Sequence, residues 1–423
     1  MTSPFLAGLT FPTSIALSGD GSVFVAEAGL PFGGAAPGGR VWRVVADGSK
    51  QLVADGLRAP VNGLSPYGPD LLLAEGGHPG RISVLTATGE RRTLLDGLPG
   101  PGNYHTNTAL AGPDGWIYFS QGAMTNTGIV GLDSYEIGWL GRLPHAHDLP
   151  GYDVVLAAHV AETADPFAPD TGARARTGGF APFGVAHPAG HRIPGQVPAT
   201  AAVMRCRPDG TGLEVVAWGL RNAWALGFLP DGRLLAIDQG ADDRGSRPVG
   251  AAPDALFEVR PGAWYGWPDF VAGRPVTDPR FLPGCGPEPV FLLAHHDELP
   301  PPERPLVEFA PHVAAVKFDV YPEGSRYAGQ LLVALFGDEA PMTVPGGGAS
   351  VGRALVRVDT GEWTVHPVAL DAELARPIDV RFDPADGTAL VLDFGRFEMT
   401  EQGVRAEPGS GALWRLPTDL LEQ

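Results

Sequence analysis

The stretch GPDGWIYFSQG, from Gly112 to Gly122, decides the fold of this chain because the same plan returns five more times. Each copy starts with a turn rich in Gly, Asp or Pro, continues as a short apolar strand and ends on small or polar residues. The other copies are GDGSVFVAEAG (19–29), GPDLLLAEGG (68–77), PDGRLLAIDQG (230–240), AGQLLVALFGD (328–338) and ADGTALVLDFG (385–395). Self-similarity at intervals of tens of residues is typical of repeat architectures. The spacing therefore predicts six copies of one structural unit.

Two further series repeat in step with the first. One lies downstream of each copy, at 39–48, 80–89, 202–210, 254–262, 352–361 and 411–417. The other closes each unit and opens the next, at 51–65, 93–111, 215–228, 306–318, 366–382 and, at the N-terminus, 5–18. Apolar runs bounded by Asp-Gly predict strands joined by tight turns. We therefore expect an all-β, six-bladed β-propeller in one domain spanning 1–423, with the N-terminal strand closing the last blade.

The expected connections differ between the two faces of such a propeller. Antiparallel strands place the turns between strands one and two, and between strands three and four, on one face. The other face receives the long loops, which we assign as 30–39, 241–253, 336–350, 267–312 and an insertion in blade three at about 122–200. Because functional residues concentrate on loops held by a rigid scaffold, the long-loop face is the predicted functional face.

Charge and composition narrow the partners. The 30 basic and 48 acidic residues give a net charge of −18, which repels phosphate backbones and anionic lipid. No apolar run approaches the ~20 residues of a membrane span, and the N-terminus lacks the pattern of an export signal. Cys206 and Cys285 form neither a disulfide framework nor a metal-ligand spacing. We expect a soluble protein without a nucleic-acid or membrane partner, cytoplasmic unless a signal was removed, and otherwise periplasmic or secreted.

Polar residues recur at the strand ends of the predicted functional face. His105 is a candidate general base because imidazole titrates near neutral pH. Arg221 and Asn222 suit a planar anionic ligand with several carbonyl groups. The starts of the innermost strands and the ends of the second strands also carry Thr13, Asn62, His312, Arg376, Asp379, Glu27, Glu75, Gln121, Asp238, Gln239, Asp338 and Asp393. A solvated or structural role is the alternative for each of these side chains.

Three other clusters allow two interpretations each. The acidic stretch 238–248 offers oxygen ligands to a hard cation, although it lacks EF-hand spacing, and a solvated loop fits equally. The histidines of the insertion, and those of the segment 295–297, indicate either metal binding or plain loops: His145, His147, His159, His295 and His296. The aromatic residues of GAWYGWPDF predict packing between blades or a sugar subsite: Trp264, Tyr265 and Trp267.

Four motifs in this order resemble the soluble pyrroloquinoline-quinone (PQQ) dependent glucose/sorbosone dehydrogenases, six-bladed propellers that oxidise sugars. They are NYHTNTALAGPDGWIYFSQG, WGLRNAWALGFLPDGRLLAIDQG, DALFEVRPGAWYGWPDF and ARPIDVRFDPADG, and the resemblance extends from about residue 10 to residue 416. It implies PQQ and Ca²⁺ as cofactors, a sugar substrate and a separate electron acceptor. By position, His105 resembles the base that takes the proton of the C1 hydroxyl as hydride passes to the quinone.

The resemblance also assigns the cofactor contacts. Arg221 and Asn222 resemble the Arg-Asn pair that touches PQQ, and Gln239 is placed with them. Arg376 resembles the first arginine of an Arg-x-Arg-Asp cofactor motif. Gly240 and Ala241 stand where the family offers backbone carbonyls to calcium.

The chain departs from the family pattern at four points. Ile378 replaces the second arginine of the motif, Ala123 stands where the family has an aspartate, the His105-to-GPDG spacing is one residue shorter, and 335–341 contains no cofactor lysine. PQQ is a tricarboxylate, and each charge-assisted hydrogen bond contributes about 1.5–3 kcal/mol. The lost cations therefore weaken the predicted PQQ site.

Three hypotheses follow from the sequence. The first is an oxidoreductase of the PQQ-dependent sugar dehydrogenase type. The second is a metal-dependent lactonase-type hydrolase whose cation would be held by Glu27, Glu75, Asn62, Asn222 and Asp338. The third is a non-catalytic sugar- or protein-binding propeller.

Overall fold

The computed structural model describes residues 3–343, 351–370 and 372–421, which fold into six four-stranded antiparallel sheets. In each sheet the strands are given from the innermost to the outermost. Sheet I contains Pro12–Leu17, Val23–Glu27, Gly39–Val44 and Lys50–Leu57; sheet II contains Val61–Tyr67, Asp70–Glu75, Gly80–Leu85 and Arg91–Leu98. Sheet III contains Thr106–Ala111, Ile117–Gln121, Ala202–Cys206 and Glu214–Trp218. Sheet IV contains Ala223–Phe228, Leu234–Asp238, Pro253–Glu258 and Val307–Pro311; sheet V contains Ala315–Val320, Leu331–Leu335, Ala354–Asp359 and Thr364–Pro367. Sheet VI contains Pro377–Phe382, Ala389–Asp393, Gly411–Leu416 and Leu6–Leu9. The six repeats thus correspond to the six sheets.

The N-terminal strand belongs to the last sheet. Leu6 lies opposite Leu413 and Ala7 opposite Ala412 in an antiparallel ladder. Leu6 and Leu9 are buried. The strand Leu6–Leu9 therefore pairs with Gly411–Leu416 in sheet VI.

Side-chain hydrogen bonds to an innermost strand join each sheet to the next; all of the joining side chains lie on innermost strands except Asp254, on the third strand of sheet IV. Hydroxyl groups make the first three joints: Ser14 to the backbone of Leu64, Ser65 to the carbonyl of Ala109, and Thr108 to the carbonyl of Trp224. Carboxylates make the other three by accepting backbone N–H groups: Asp254 from Ala315, Asp319 from Phe382, and Asp379 from Ile15. The last of these joints links sheet VI back to sheet I.

A buried lysine occupies the place where the innermost strands meet. The Nζ of Lys317, from sheet V, donates at 2.8 Å to the Thr13 carbonyl, the Ser14 hydroxyl and the Asn62 carbonyl. It also lies 3.7 Å from the Asp379 carboxylate. Sheets I, II, V and VI therefore share one ammonium group, a role that sequence analysis did not predict.

A long segment separates the second and third strands of sheet III. It contains one α-helix, Leu132–Glu136, and a hairpin of Val160–Ala164 with Arg174–Gly178. Other short strands and 3₁₀ turns lie outside the six sheets: Val154–Leu156, Arg192–Ile193, Phe270–Val271, Arg274–Pro275, Leu293–Ala294, Phe397–Thr400, Gly403–Ala406, Phe32–Gly34, Pro169–Thr171, Pro279–Phe281, His296–Glu298 and Thr418–Leu421. No helix in the described ranges is long and apolar enough to cross a membrane.

The assignment of 267–312 as a connection between blades is wrong. In the structure the long segment 259–306 links the third and fourth strands of sheet IV. Aromatic packing carries it along the outer strand of sheet III, where Trp264 stacks on Trp218 at 6.3 Å and Tyr265 donates its N–H to the Trp218 carbonyl. Trp264, Tyr265 and Trp267 are all buried, which agrees with the packing interpretation of these residues.

Candidate functional site

His105 lies immediately before the innermost strand of sheet III. Its ring makes no hydrogen bond to any part of the chain that the structure describes, and the residue is half-buried. Burial lowers the pKa of His105 to about 4, so the imidazole is neutral at pH 7. A Cβ at Gly76 would lie 2.6 Å from the Cβ of His105, so the glycine is needed for this close approach. A neutral imidazole with accessible nitrogens can accept a proton from a hydroxyl group.

The guanidinium of Arg221 is buried and occupied by protein acceptors. Its Nε donates to the Asn126 carbonyl at 3.2 Å, and its Nη1 donates to the carbonyls of Gln239 and Gly240. Its Nη2 donates to Asn126 Oδ1 at 2.7 Å, to Asp242 at 2.6 Å and to the Tyr104 hydroxyl. The Tyr104 ring also covers the guanidinium, with its centroid 4.2 Å away.

The amide of Asn222 belongs to a chain of four amides. Asn62 donates to Asn107 at 3.1 Å, Asn107 donates to Asn222 at 2.8 Å, and Asn222 donates to Gln239 at 2.8 Å. The chain runs from sheet II to sheet IV. Both predicted cofactor amides, those of Asn222 and Gln239, therefore bond to other side chains of the protein.

Arg376 is likewise buried and occupied. It donates to the carbonyls of Phe336, Gly337, Asp338 and Phe397 and to the Glu398 carboxylate. Ile378 is buried in the apolar core of sheet VI, which gives a structural reason for an aliphatic residue there. Ala123 is also fully buried.

The two residues predicted to hold calcium lie on the loop after the second strand of sheet IV. The Gly240 carbonyl accepts from Arg221, while the Gly240 N–H donates to Asp254 at 2.8 Å. Ala241 is buried in a small apolar cluster. The Gly240 carbonyl, which was predicted to bind calcium, therefore accepts a hydrogen bond from the guanidinium of Arg221 instead.

The carboxylates at the ends of the second strands are structural. In four sheets the carboxylate accepts the N–H of the residue 17 positions earlier: Glu27 from Thr10, Glu75 from Arg58, Asp238 from Arg221 and Asp393 from Arg376. Glu75 is also bonded by both Arg81 Nε and Nη2. These groups fix the entry to the innermost strand, so they are not free to form a ring of ligands.

The cation set of the lactonase hypothesis is consequently not assembled. Glu27, Glu75, Asn62 and Asn222 are engaged as described, and Asp338 accepts the Val351 N–H at 3.3 Å. Within the described ranges, no three His, Cys, Asp or Glu side chains are arranged to hold a metal ion.

Three carboxyl groups on this face titrate near neutrality. Burial raises the pKa of Asp238, Asp254 and Glu339 to about 7. Asp238 and Asp254 accept backbone N–H groups and belong to the scaffold.

The predicted histidine set of the insertion is not brought together. His145 and His147 touch through the His145 carbonyl, 3.1 Å from His147 Nδ1. His159 instead interacts electrostatically with Arg247 and Asp269. A stacked pair that sequence analysis missed is His187 and His191, with ring centroids 4.1 Å apart. His296 bonds the buried Asp269 at 3.0 Å and so anchors its own loop.

Comparisons with known proteins agree on the fold. No family model and no curated protein matches the chain. An oxidoreductase described as a glucose dehydrogenase, from Thermus thermophilus, has 19% identity and a TM-score of 0.56, covering 98% of both chains. The PQQ domain of pyranose dehydrogenase from Coprinopsis cinerea, in its holo form, has 15% identity and a TM-score of 0.57, covering 97% of this chain and 93% of that one.

A third solved structure is the PQQ-bound aldose sugar dehydrogenase from Streptomyces coelicolor. It has 16% identity and a TM-score of 0.55, covering 98% of this chain and 96% of that one. The resemblance seen in the four motifs is thus confirmed at the level of the fold. This chain has the fold of the soluble PQQ-dependent sugar dehydrogenases.

Proposed function

We propose that the protein is an oxidoreductase of the sugar-dehydrogenase type, built as a closed six-bladed propeller. The observation that carries this proposal is the neutral, unpartnered imidazole of His105 on the long-loop face, within the part of the chain that the structure describes. In the proposed step the sugar hydroxyl gives its proton to a ring nitrogen of His105. The adjacent C–H bond gives a hydride to a two-electron acceptor of quinone type, and a carbonyl forms on the sugar.

PQQ with Ca²⁺ is the acceptor that the resemblance implies, but the residues present do not fit it in this arrangement. A tricarboxylate needs free cations, whereas Arg221 and Arg376 direct their donors at protein oxygens. Ile378 supplies no charge and lies in the apolar core of sheet VI. We therefore assign the hydride to a quinone-type acceptor that does not depend on these contacts.

A sugar-binding propeller without redox chemistry is the second candidate. This candidate is favoured by Arg221 and Arg376, whose guanidinium groups donate their hydrogen bonds to protein oxygens. A buried guanidinium that binds no cofactor needs such partners, because an unpaired buried charge destabilises the fold. Both candidates bind a sugar, and they differ only in whether the protein oxidises it.

The decisive experiment follows reduction of a redox dye by the purified protein with a panel of aldoses, with and without added PQQ and Ca²⁺. We expect sugar-dependent dye reduction without added PQQ, and a loss of about 10²–10⁴-fold in kcat/KM for His105→Gln. The control is His366→Gln, a change in the outer strand of sheet V, which should leave activity unaltered. Sugar binding by calorimetry without dye reduction would establish the second candidate instead.

A further inference from the structure

Six oxygen atoms surround the buried guanidinium of Arg221. They are the Asn126 carbonyl and Oδ1, the carbonyls of Gln239 and Gly240, the Asp242 carboxylate and the Tyr104 hydroxyl. They come from three separate parts of the chain, around residues 104, 126 and 239–242. Hard cations such as Ca²⁺ take six to eight oxygen ligands of these same types.

The carboxylate of this oxygen cage, Asp242, is shared by two guanidiniums. Asp242 also accepts from Arg244 Nε and lies 3.1 Å from its Nη2, and Arg244 in turn pairs with Asp133 at 2.8 Å. Two guanidiniums thus face two carboxylates. A divalent ion at the Gly240 carbonyl would lie against both positive groups and would have to displace one of them.

We infer that Arg221 is the resident cation of this site. Its guanidinium donates hydrogen bonds to the oxygens that a calcium ion would otherwise coordinate. The native protein therefore binds neither Ca²⁺ nor a calcium–PQQ complex at Gln239 and Gly240. Removing the guanidinium leaves these oxygens, one of them from a carboxylate, without their donor, and we expect them to bind a hard cation such as Ca²⁺ in its place. This inference does not depend on whether the protein oxidises sugars.

The test compares the native protein with Arg221→Met. Thermal unfolding is followed with millimolar CaCl₂ or with EGTA, and Tb³⁺ luminescence reports direct occupancy. We expect the native Tm to be the same in both conditions. Arg221→Met should have a lower Tm in EGTA and gain at least about 3 °C from Ca²⁺, because a ligand that binds only the folded state raises its stability.

Two matched variants make the result specific. Arg244→Met removes the other guanidinium on Asp242 but leaves Arg221 in the cage, so it should not respond to Ca²⁺. Adding Asp242→Asn to Arg221→Met removes the carboxylate and should abolish the gained response.

The inference is overturned if the native protein binds Ca²⁺ or PQQ with Ca²⁺ in these titrations or by calorimetry. It is also overturned if a folded Arg221→Met shows no calcium response. If Arg221→Met is unfolded in EGTA, the variant is refolded with either Ca²⁺ or Mg²⁺. We expect it to refold with Ca²⁺ only, and failure to refold with Ca²⁺ would overturn the inference.

Discussion

Replacing Lys317 by Met tests the central packing of the fold. The substitution keeps the length of the side chain and its apolar stem but removes the ammonium that four sheets share. Three hydrogen bonds of 2.8 Å are lost, and the carbonyls of Thr13 and Asn62 lose this donor in a buried place. The Asp379 carboxylate also loses a positive charge 3.7 Å away.

The expected magnitude follows from these contacts. Hydrogen bonds from a charged donor contribute about 1.5–3 kcal/mol each. Against this, burial disfavours the ammonium and lowers the pKa of Lys317 to about 8, so removing the charge regains part of the loss. Asp379 also keeps the N–H bonds from Ile15 and Val380 and its ion pair with Arg381 at 3.3 Å. We expect the free energy of unfolding to fall by about 3 kcal/mol, the lower end of the range for breaking a buried ion pair on one side.

The assay is guanidinium chloride unfolding at pH 7, followed by circular dichroism and tryptophan fluorescence. Lys50 is the only other lysine in the sequence and provides the control, since its partly exposed side chain lies 3.5 Å from Glu27. Lys50→Met should cost no more than about 1 kcal/mol. The double variant Lys317→Met with Asp379→Asn should lose less than the sum of the single variants, because each single variant already removes the interaction between these two groups. A loss below about 1 kcal/mol for Lys317→Met would refute the central role of its ammonium.

Three other features of the molecule allow similar tests. If His105 is the base, the acid limb of kcat/KM should lie near pH 4, not near 6.5, and a limb at 6.5 measured in a pH profile would exclude this role. Because the folded pKa of His105 lies below its unfolded value, its contribution to stability is complete above about pH 6.5 and is lost as pH falls toward 4; His105→Gln should flatten that change by at most about 3 kcal/mol in acid unfolding. Deleting residues 1–10 removes the strand Leu6–Leu9 and the burial of two leucines, so calorimetry should show a loss of at least about 3 kcal/mol, and an unaltered Tm would contradict closure by this strand. Asp269→Asn weakens the buried pair with Arg247 at 2.8 Å, and limited proteolysis should then cut the segment 268–296 faster than in the native protein.

The strands could be predicted from the sequence because their signal is local. Each apolar run between Asp-Gly turns became a strand near its expected position; IYFSQ, for instance, forms Ile117–Gln121. The long segment 259–306 could not be placed, since its course depends on the contact of Trp264 with Trp218, more than 40 residues away in sequence. Local patterns carry no information on such a contact.

The candidate site was less predictable than the fold. Arg221 looked available for a ligand because its own motif supplies only the backbone carbonyls of Gln239 and Gly240, whereas the side chains of Asn126 and Asp242 reach it from outside that motif. Lys317 sits in an ordinary apolar strand, and the carbonyls that it binds lie more than 250 residues away. The structural role of the strand-end carboxylates, by contrast, had a usable signal: the constant separation of 17 residues between each carboxylate and the N–H group that it accepts.

The scarcity of lysine also determines how the molecule can be handled chemically. Lys317 is buried, whereas the side chain of Lys50 is partly exposed, with its ammonium 3.5 Å from Glu27 and donating to the Gly8 carbonyl. Of these two lysines, an amine-reactive reagent should therefore modify Lys50 in the folded protein and reach Lys317 only after the sheets around it separate. The rate at which Lys317 is labelled would then report the opening of the centre of the molecule.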